Sequence, residues 1–279
     1  DAHAHTLAIL SVLLFANKIP MVLSRRVDFP VRNNAFSKYK YQHPQIKYIL
    51  CVSEAIRRIV LKTVPDTTKV VRVYSGVNLA KFKELSKNTL QGRYPYAQNK
   101  ILIGNVAALA PHKDYYTFID TAQLIIAQYP NVHFFMIGEG NEREALTKYI
   151  ESKRLSNAIT LTGFIADVPT VLPDLTVFLA TSSTEGLGTA IIDACACGVP
   201  VVATQAGGIP EIIIHEKTGL LAPIKKANLL CEQVLRLLNN EALRQQIIQE
   251  AQIWVKQFDK RKMADNTLGY YKKTIDYAQ

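Results

Sequence analysis

The stretch Leu175-Thr-Val-Phe-Leu-Ala180-Thr-Ser-Ser-Thr-Glu185-Gly-Leu-Gly188-Thr-Ala-Ile-Ile-Asp193-Ala-Cys-Ala-Cys197-Gly-Val-Pro200 changes character twice. It opens on a short apolar run, passes through a loop rich in hydroxyls and glycine, and closes on an apolar stretch of helical length. That order predicts a strand ending near Ala180 and a helix beginning near Gly188. Gly186 and Gly188 let backbone approach a ligand closely. The N–H groups of Gly188, Thr189 and Ala190 would leave the helix start together with the positive end of its dipole, which suits a phosphate. Glu185 precedes the helix and Asp193 lies about one and a half turns into it. Both carboxylates can therefore flank a bound diphosphate and accept hydrogen bonds from sugar hydroxyls. The plainer reading of the pair is a loop acid and a solvated helical aspartate.

On both sides of this segment, short β-branched runs alternate with amphipathic ones, as in repeated βα units on a parallel sheet. Strands are expected at Ile101 to Ala107, Val132 to Ile137, Ile159 to Leu161, Leu175 to Ala180 and Val199 to Ala203, with Thr218 to Leu221 as a sixth. Helices are expected near Asp114 to Gln128, Asn141 to Ser152, Val168 to Leu172, Gly188 to Cys197, Leu229 to Leu238 and Ala242 to Phe258. Six such strands make one complete doubly wound domain. The first 95 residues offer only Met21 to Ser24, Tyr48 to Val52 and Val70 to Tyr74, which predicts an incomplete half. The expected division is residues 1–90, 91–258 and a last helix at 259–279 that packs back on the first half, with Asn88 to Asn99, polar and carrying Gly92 and Pro95, as the linker.

Composition narrows the classes further. With 48% hydrophobic residues over 279 positions the chain can bury a large core, so disorder is a poor reading. Cys51, Cys195, Cys197 and Cys231 form no CxxC pair and read as buried thiols of a reducing compartment. The longest early apolar run, Leu7 to Ala16, is too short to cross a membrane and lacks the flanks of a signal peptide. A cytoplasmic protein is expected. Residues 1–100 carry 17 Lys and Arg against 5 Asp and Glu, whereas the remaining residues are nearly neutral. These cations are scattered and not interleaved with aromatics, so no nucleic acid is expected; a solvated basic face and peripheral contact with an anionic membrane surface both remain open.

The segment from Glu185 to Asp193 resembles the E-x7-E signature of glycosyltransferase family 4, with Asp in place of the second Glu. The resemblance extends through Val106-Ala-Ala-Leu-Ala-Pro-His-Lys113-Asp, Phe134-Phe-Met-Ile-Gly138-Glu-Gly140, Leu161-Thr-Gly163-Phe164-Ile165, Cys197-Gly-Val-Pro-Val-Val-Ala-Thr204, Gly207-Gly-Ile-Pro-Glu211 and Thr218-Gly-Leu-Leu221. In the first half it touches Asp1-Ala-His3-Ala-His5-Thr6, Cys51-Val-Ser-Glu54 and Val73-Tyr-Ser-Gly-Val-Asn78. It implies an α/β, GT-B-like fold of two Rossmann-like doubly wound domains and a retaining enzyme that takes a nucleotide-diphosphate sugar.

By the same resemblance Glu185 holds the donor sugar, Asp193 the ribose and Lys113 the diphosphate, while Ala108 stands where an Arg is common. Gly138, Gly140, Phe164 and Ile165 would shape the nucleoside pocket. Gly186, Leu187, Gly188 and Thr189 would complete the donor site, and His5, at a strand end, would reach the donor sugar. The two histidines His3 and His5 have no third ligand cluster after them, so no metal is expected. A UDP-sugar is the donor the resemblance favours, with a glycan or lipid-linked acceptor in cell-envelope polysaccharide synthesis. A sugar-nucleotide epimerase or phosphorylase on the same fold and a non-catalytic nucleotide-sugar-binding module are the alternatives; a dinucleotide-dependent dehydrogenase lacks its G-x-G-x-x-G.

Overall fold

The structure, a computed structural model, describes residues 2–32, 34–82 and 89–276, the side chain of Ala2 excepted. By its own contacts the chain divides into two units, Asp1–Gly76 with Lys260–Gln279, and Val77–Asp259.

The first unit runs through α1 (Ala2–Phe15), β1 (Met21–Arg25), α2 (Ala35–Gln42), β2 (Ile46–Cys51), α3 (Glu54–Leu61) and β3 (Val70–Arg72). The strands form a parallel sheet in the order β1-β2-β3. Side chains that hydrogen-bond the first turn start two of its helices: Asn34 accepts from the Ser37 N–H and Ser53 from the Ile56 N–H. Ile9, Ile46, Ile49, Ile56, Val60 and Val70 make the core.

The expectation of a strand end at His3 and His5 is corrected here: both stand in α1, and Asp1, which opened the motif, lies outside the described residues. Two residues apart on a helix, side chains diverge by about 200° where on a strand they align. His3 is accordingly exposed and His5 buried, with Nε2 donating to the Lys40 carbonyl at 3.2 Å and its ring edge-on to Tyr41. Burial lowers the His5 pKa below its ordinary value, chiefly by desolvation. His5 is a partnered core residue of this unit.

The second unit begins with α4 (Thr89–Arg93) and continues through β4 (Ile101–Val106), α5 (Tyr115–Ile126), β5 (Val132–Ile137), α6 (Arg143–Ser152), β6 (Ile159–Gly163), β7 (Val177–Ala180), α7 (Thr189–Ala196), β8 (Val201–Thr204), α8 (Ile209–Ile212), β9 (Leu220–Ala222), α9 (Ala227–Asn239) and α10 (Glu241–Trp254). Its six strands are all parallel, in the order β6-β5-β4-β7-β8-β9. That is the doubly wound order, with the reversal between β4 and β7. Every residue of β5 is buried, as a central strand covered on both faces requires. Phe118, Phe134, Ile103, Leu179, Val202 and Leu230 anchor the core.

Two expectations fail for identifiable reasons. The helix expected at Val168 to Leu172 is a pair of 3-10 turns, Val168–Thr170 and Leu172–Asp174, because Pro169 and Pro173 remove donors that a longer helix would use. The segment expected as a linker, whose first residue Asn88 lies outside the described residues, folds onto the second unit. Leu90 is fully buried and its N–H donates to Asp174 at 2.6 Å, while Tyr94 packs against Phe135 and Tyr96 against His133. The burial of Leu90 in α4 and the packing of Tyr94 just past its end outweigh the polar composition.

The chain ends in α11 (Lys260–Asp276), grouped with the first unit, where Tyr270 meets Tyr48 of β2 with ring centroids 4.9 Å apart. Residues 277–279, at the end of that expected helix, lie outside the described residues. All four cysteines are free, and burial pushes Cys51, Cys195 and Cys197 up to about 12, so these thiols stay protonated.

Candidate active site

A doubly wound sheet opens a crevice where its strand order reverses, because neighbouring strands there send their connections to opposite faces. In the second unit β4 and β7 pair only at Ile103 with Val177 and Gly104 with Phe178, then diverge. Beyond that point the Asn105 side chain, buried, donates through Nδ2 to the Leu179 carbonyl at 2.7 Å. A single polar residue inside the apolar run of β4 thus takes a backbone acceptor that the opened ladder leaves without a partner.

The crevice is a cavity of about 210 Å³ lined by Asn105, Ala107, Ala108, Lys113, Ser182, Glu185, Gly188, Thr189 and Ala190, among others. The loops after β4 and β7 are laced together across it. Thr181 shares its hydroxyl between the carbonyls of Lys113 and Asp114, 3.0 Å from each, and the Ser183 N–H donates to the His112 carbonyl at 2.8 Å. Lys113 Nζ reaches Glu185 Oε2 at 2.5 Å, both side chains being only 17% exposed. Ser182 Oγ donates to the same carboxylate oxygen at 3.3 Å, and Thr204 Oγ1 in turn donates to the Ser182 carbonyl at 2.5 Å.

Glycine sets the shape of this loop. Gly188, at φ +97°, opens α7 without any capping side chain, so the first amides of that helix are available to a ligand in the cavity. Gly207 and Gly208 pack directly behind Glu185: the Gly208 N–H donates to the Glu185 carbonyl at 2.9 Å, and a Cβ on Gly207 would lie 1.9 Å from that carbonyl oxygen. These glycines brace the Glu185 backbone. Gly138 and Gly140 do the same for the β4 loop, since added Cβ atoms would lie 2.0 Å from the Ala107 oxygen and 2.3 Å from the Leu109 oxygen.

Of the residues singled out in the sequence, Lys113, Glu185, Gly188 and Thr189 therefore meet in one cavity. Leu187 is buried under the loop, and Gly186 stacks against Gly208. Asp193, partly buried one helical turn after Thr189, is off the cavity lining, and desolvation pushes its carboxyl up to about 6 against the pull of Lys81. Phe164, 79% exposed, and Ile165, buried, follow β6 two strands away. Ala108 lines the cavity and brings no charge to it. The hydroxyls of Thr181, Ser182 and Thr204 and the amide of Asn105 join the site only in the structure; a polar residue within an apolar strand and a run of hydroxyls at a strand end are the sequence signals that could mark them.

The sequence pattern described as glycosyl transferases group 1 matches residues 86–254. The chain belongs to that family. An uncharacterized glycosyltransferase of Methanocaldococcus jannaschii is 28% identical over 240 residues, 85% of this group 1 chain and 63% of that protein. The poly(ribitol-phosphate) alpha-N-acetylglucosaminyltransferase of Staphylococcus aureus is 25% identical over 71% of this chain and 40% of its own length. The group 1 chain thus spans less than two thirds of the length of these curated relatives. Among solved structures, Anabaena HepE in complex with UDP superposes with a TM-score of 0.86 over 98% of this chain and 77% of its own, at 19% identity. That likeness establishes the GT-B fold, which the two parallel sheets share.

Among the described residues no three His, Cys, Asp or Glu side chains converge as metal ligands, and no helix is long and apolar enough to cross a membrane.

Proposed function

We propose that the chain is the donor-binding part of a retaining glycosyltransferase that moves a hexose from a UDP-sugar to a glycan or lipid-linked acceptor. The observation that carries this reading is the cavity at the strand reversal, where Lys113 and Glu185, the only charged lining groups among the described residues, stand beside the uncapped start of α7. A cation and free helix-start amides can bind a diphosphate, and a carboxylate beside them can accept sugar hydroxyls. UDP is favoured because HepE is described in complex with UDP and with UDP-glucose. The S. aureus relative's name, with its polymer acceptor, supports a role in cell-envelope polysaccharide synthesis.

In this reading the bond from the anomeric carbon to the diphosphate oxygen breaks, and UDP leaves with the bonding electrons. The acceptor hydroxyl forms the new glycosidic bond with the configuration kept, and its proton leaves with the diphosphate. Lys113 and the amides of Gly188, Thr189 and Ala190 carry the charge that develops on the leaving group, so the reading assigns no metal. Asp193 holds the ribose, and the exposed Phe164 ring with Ile165 borders the base. Strands are about 4.8 Å apart, which puts the end of β6 roughly 10 Å along the sheet from β4, within the span of an extended nucleotide. The basic first hundred residues suit an anionic acceptor or membrane surface on the cytoplasmic side, and the reading includes no nucleic acid.

Glu185→Ala is expected to lower UDP release in the presence of acceptor about 100-fold, the effect of losing one charged transition-state contact. Coupled spectrophotometric detection of UDP measures it. Turnover at the wild-type rate in that variant would remove Glu185 from the site and the reading with it.

A further inference from the structure

Lys113 and Glu185 are each other's partners, at 2.5 Å and largely out of solvent. Their backbones are fixed by contacts other than the ion pair: Thr181 clamps the carbonyl of Lys113, and Gly208 clamps that of Glu185. The side chains therefore meet because of where the two loops are pinned, and among the described residues Lys113 is the only cationic side chain on the cavity lining. A diphosphate entering the cavity needs the same ammonium group that Glu185 holds.

We infer that Glu185 competes with the diphosphate for Lys113 and thereby makes the site discriminate the intact donor from the spent nucleotide. The inference rests on the donor-site reading above. Bare UDP draws Lys113 away and leaves a half-buried carboxylate facing added negative charge, with only the Ser182 hydroxyl at 3.3 Å to stabilise it. A UDP-sugar draws Lys113 away as well, but its sugar hydroxyls donate to the released carboxylate. The sugar thus restores what the diphosphate removes. Once the sugar has gone to the acceptor, the re-formed Lys113–Glu185 pair favours departure of UDP.

Calorimetric titration with UDP, UDP-glucose and UDP-N-acetylglucosamine tests this on the wild-type chain, E185Q, K113M and the double variant, with thermal unfolding as the control for folding. E185Q keeps the shape and removes the charge. It is expected to bind UDP about ten-fold more tightly than wild type, the lower range of coupling for close charge pairs. The same variant is expected to bind whichever UDP-sugar the wild type prefers about ten-fold more weakly, so the order of the two ligands inverts. In the K113M background the gain for UDP is expected to disappear. Unchanged or weaker UDP binding by E185Q would overturn the competition while leaving the donor site standing. A full gain in the K113M background would also overturn it, because simple repulsion would then account for the effect. A folded wild type that binds none of the three ligands overturns the donor-site reading, and this inference with it.

Discussion

Replacing Gly207 with alanine is expected to destabilise the second unit by about 3 kcal/mol and to abolish measurable donor binding, the size reserved for backbone clashes that cannot relax locally. The reason is geometric. A Cβ at this position would lie 1.9 Å from the Glu185 carbonyl oxygen and 2.9 Å from both its carbonyl carbon and its nitrogen. All three are backbone atoms, so no rotamer change removes the overlap, and φ of +50° adds about 1 kcal/mol for a residue with a side chain. Either the unit unfolds more readily or the Glu185 loop moves away from Gly208. In the second case the carboxylate leaves Lys113, and the diphosphate cavity loses its shape. Gly92→Ala in α4 is the matched control, because a Cβ there meets nothing within 4 Å and a helical alanine is favoured by about 1 kcal/mol. Urea unfolding with UDP titration reads both outcomes, and a Gly207→Ala protein as stable as Gly92→Ala would contradict the bracing role.

The second large effect is hidden in the wild type and appears only in variants. His133 in β5 is buried, with Nε2 2.8 Å from the Thr160 hydroxyl and Nδ1 without a hydrogen-bond partner, and desolvation, helped by Lys100, lowers it to about 4. Between about 4 and its unfolded value of 6.5 the unfolded chain binds the extra proton. His133 therefore contributes stability that is present above 6.5 and is lost as the pH falls towards 4. Asp193 works in the opposite direction. Burial raises it from 3.8 to about 6, so the folded state holds the extra proton and the contribution is lost as the pH rises through 6. At 1.36 kcal/mol per unit each amounts to about 3 kcal/mol over nearly the same window.

The wild-type unit is accordingly expected to change little in stability between about pH 4 and pH 6.5. His133→Gln removes one arm, and its stability should fall with rising pH. Asp193→Asn removes the other, and its stability should climb over the same range. The aspartate variant should also be more stable than wild type at neutral pH yet bind UDP more weakly, if the carboxylate is kept at the cost of stability to hold a ribose. Urea midpoints at three pH values give the slopes, which are insensitive to any constant loss from the substitution itself. Identical slopes in all three proteins would refute both assignments.

The parts of this architecture that were legible are those in which local chemistry and tertiary placement agree. β5 coincides with the run Val132–Ile137, apolar but for His133, because a strand buried on both faces needs no alternation to be recognised. The loop from Thr181 to Gly188 was legible because each change of residue type marks a change of backbone state. The stretch around His3 and His5 was not. The apolar residues of α1 lie on every side of the helix and give no period, so the spacing of two histidines fitted a strand as well as a helix. The bracing of Glu185 by Gly207 and of Ala107 by Gly138 was equally out of reach, since both are contacts between loops far apart in sequence. The ion pair of Lys113 with Glu185 spans 72 residues and depends on both loops being pinned. Only the fold brings them together.

The central claim is that the loops after β4 and β7 bind the diphosphate of the donor. It is tested most directly by following backbone amide resonances of the isotopically labelled chain while UDP is added. The largest saturable shifts are expected at Lys113, Gly186, Gly188, Thr189 and Ala190, with smaller ones near Phe164. Saturable binding whose shifts leave those amides unmoved, or a folded chain that shows no shifts at all, would contradict the account.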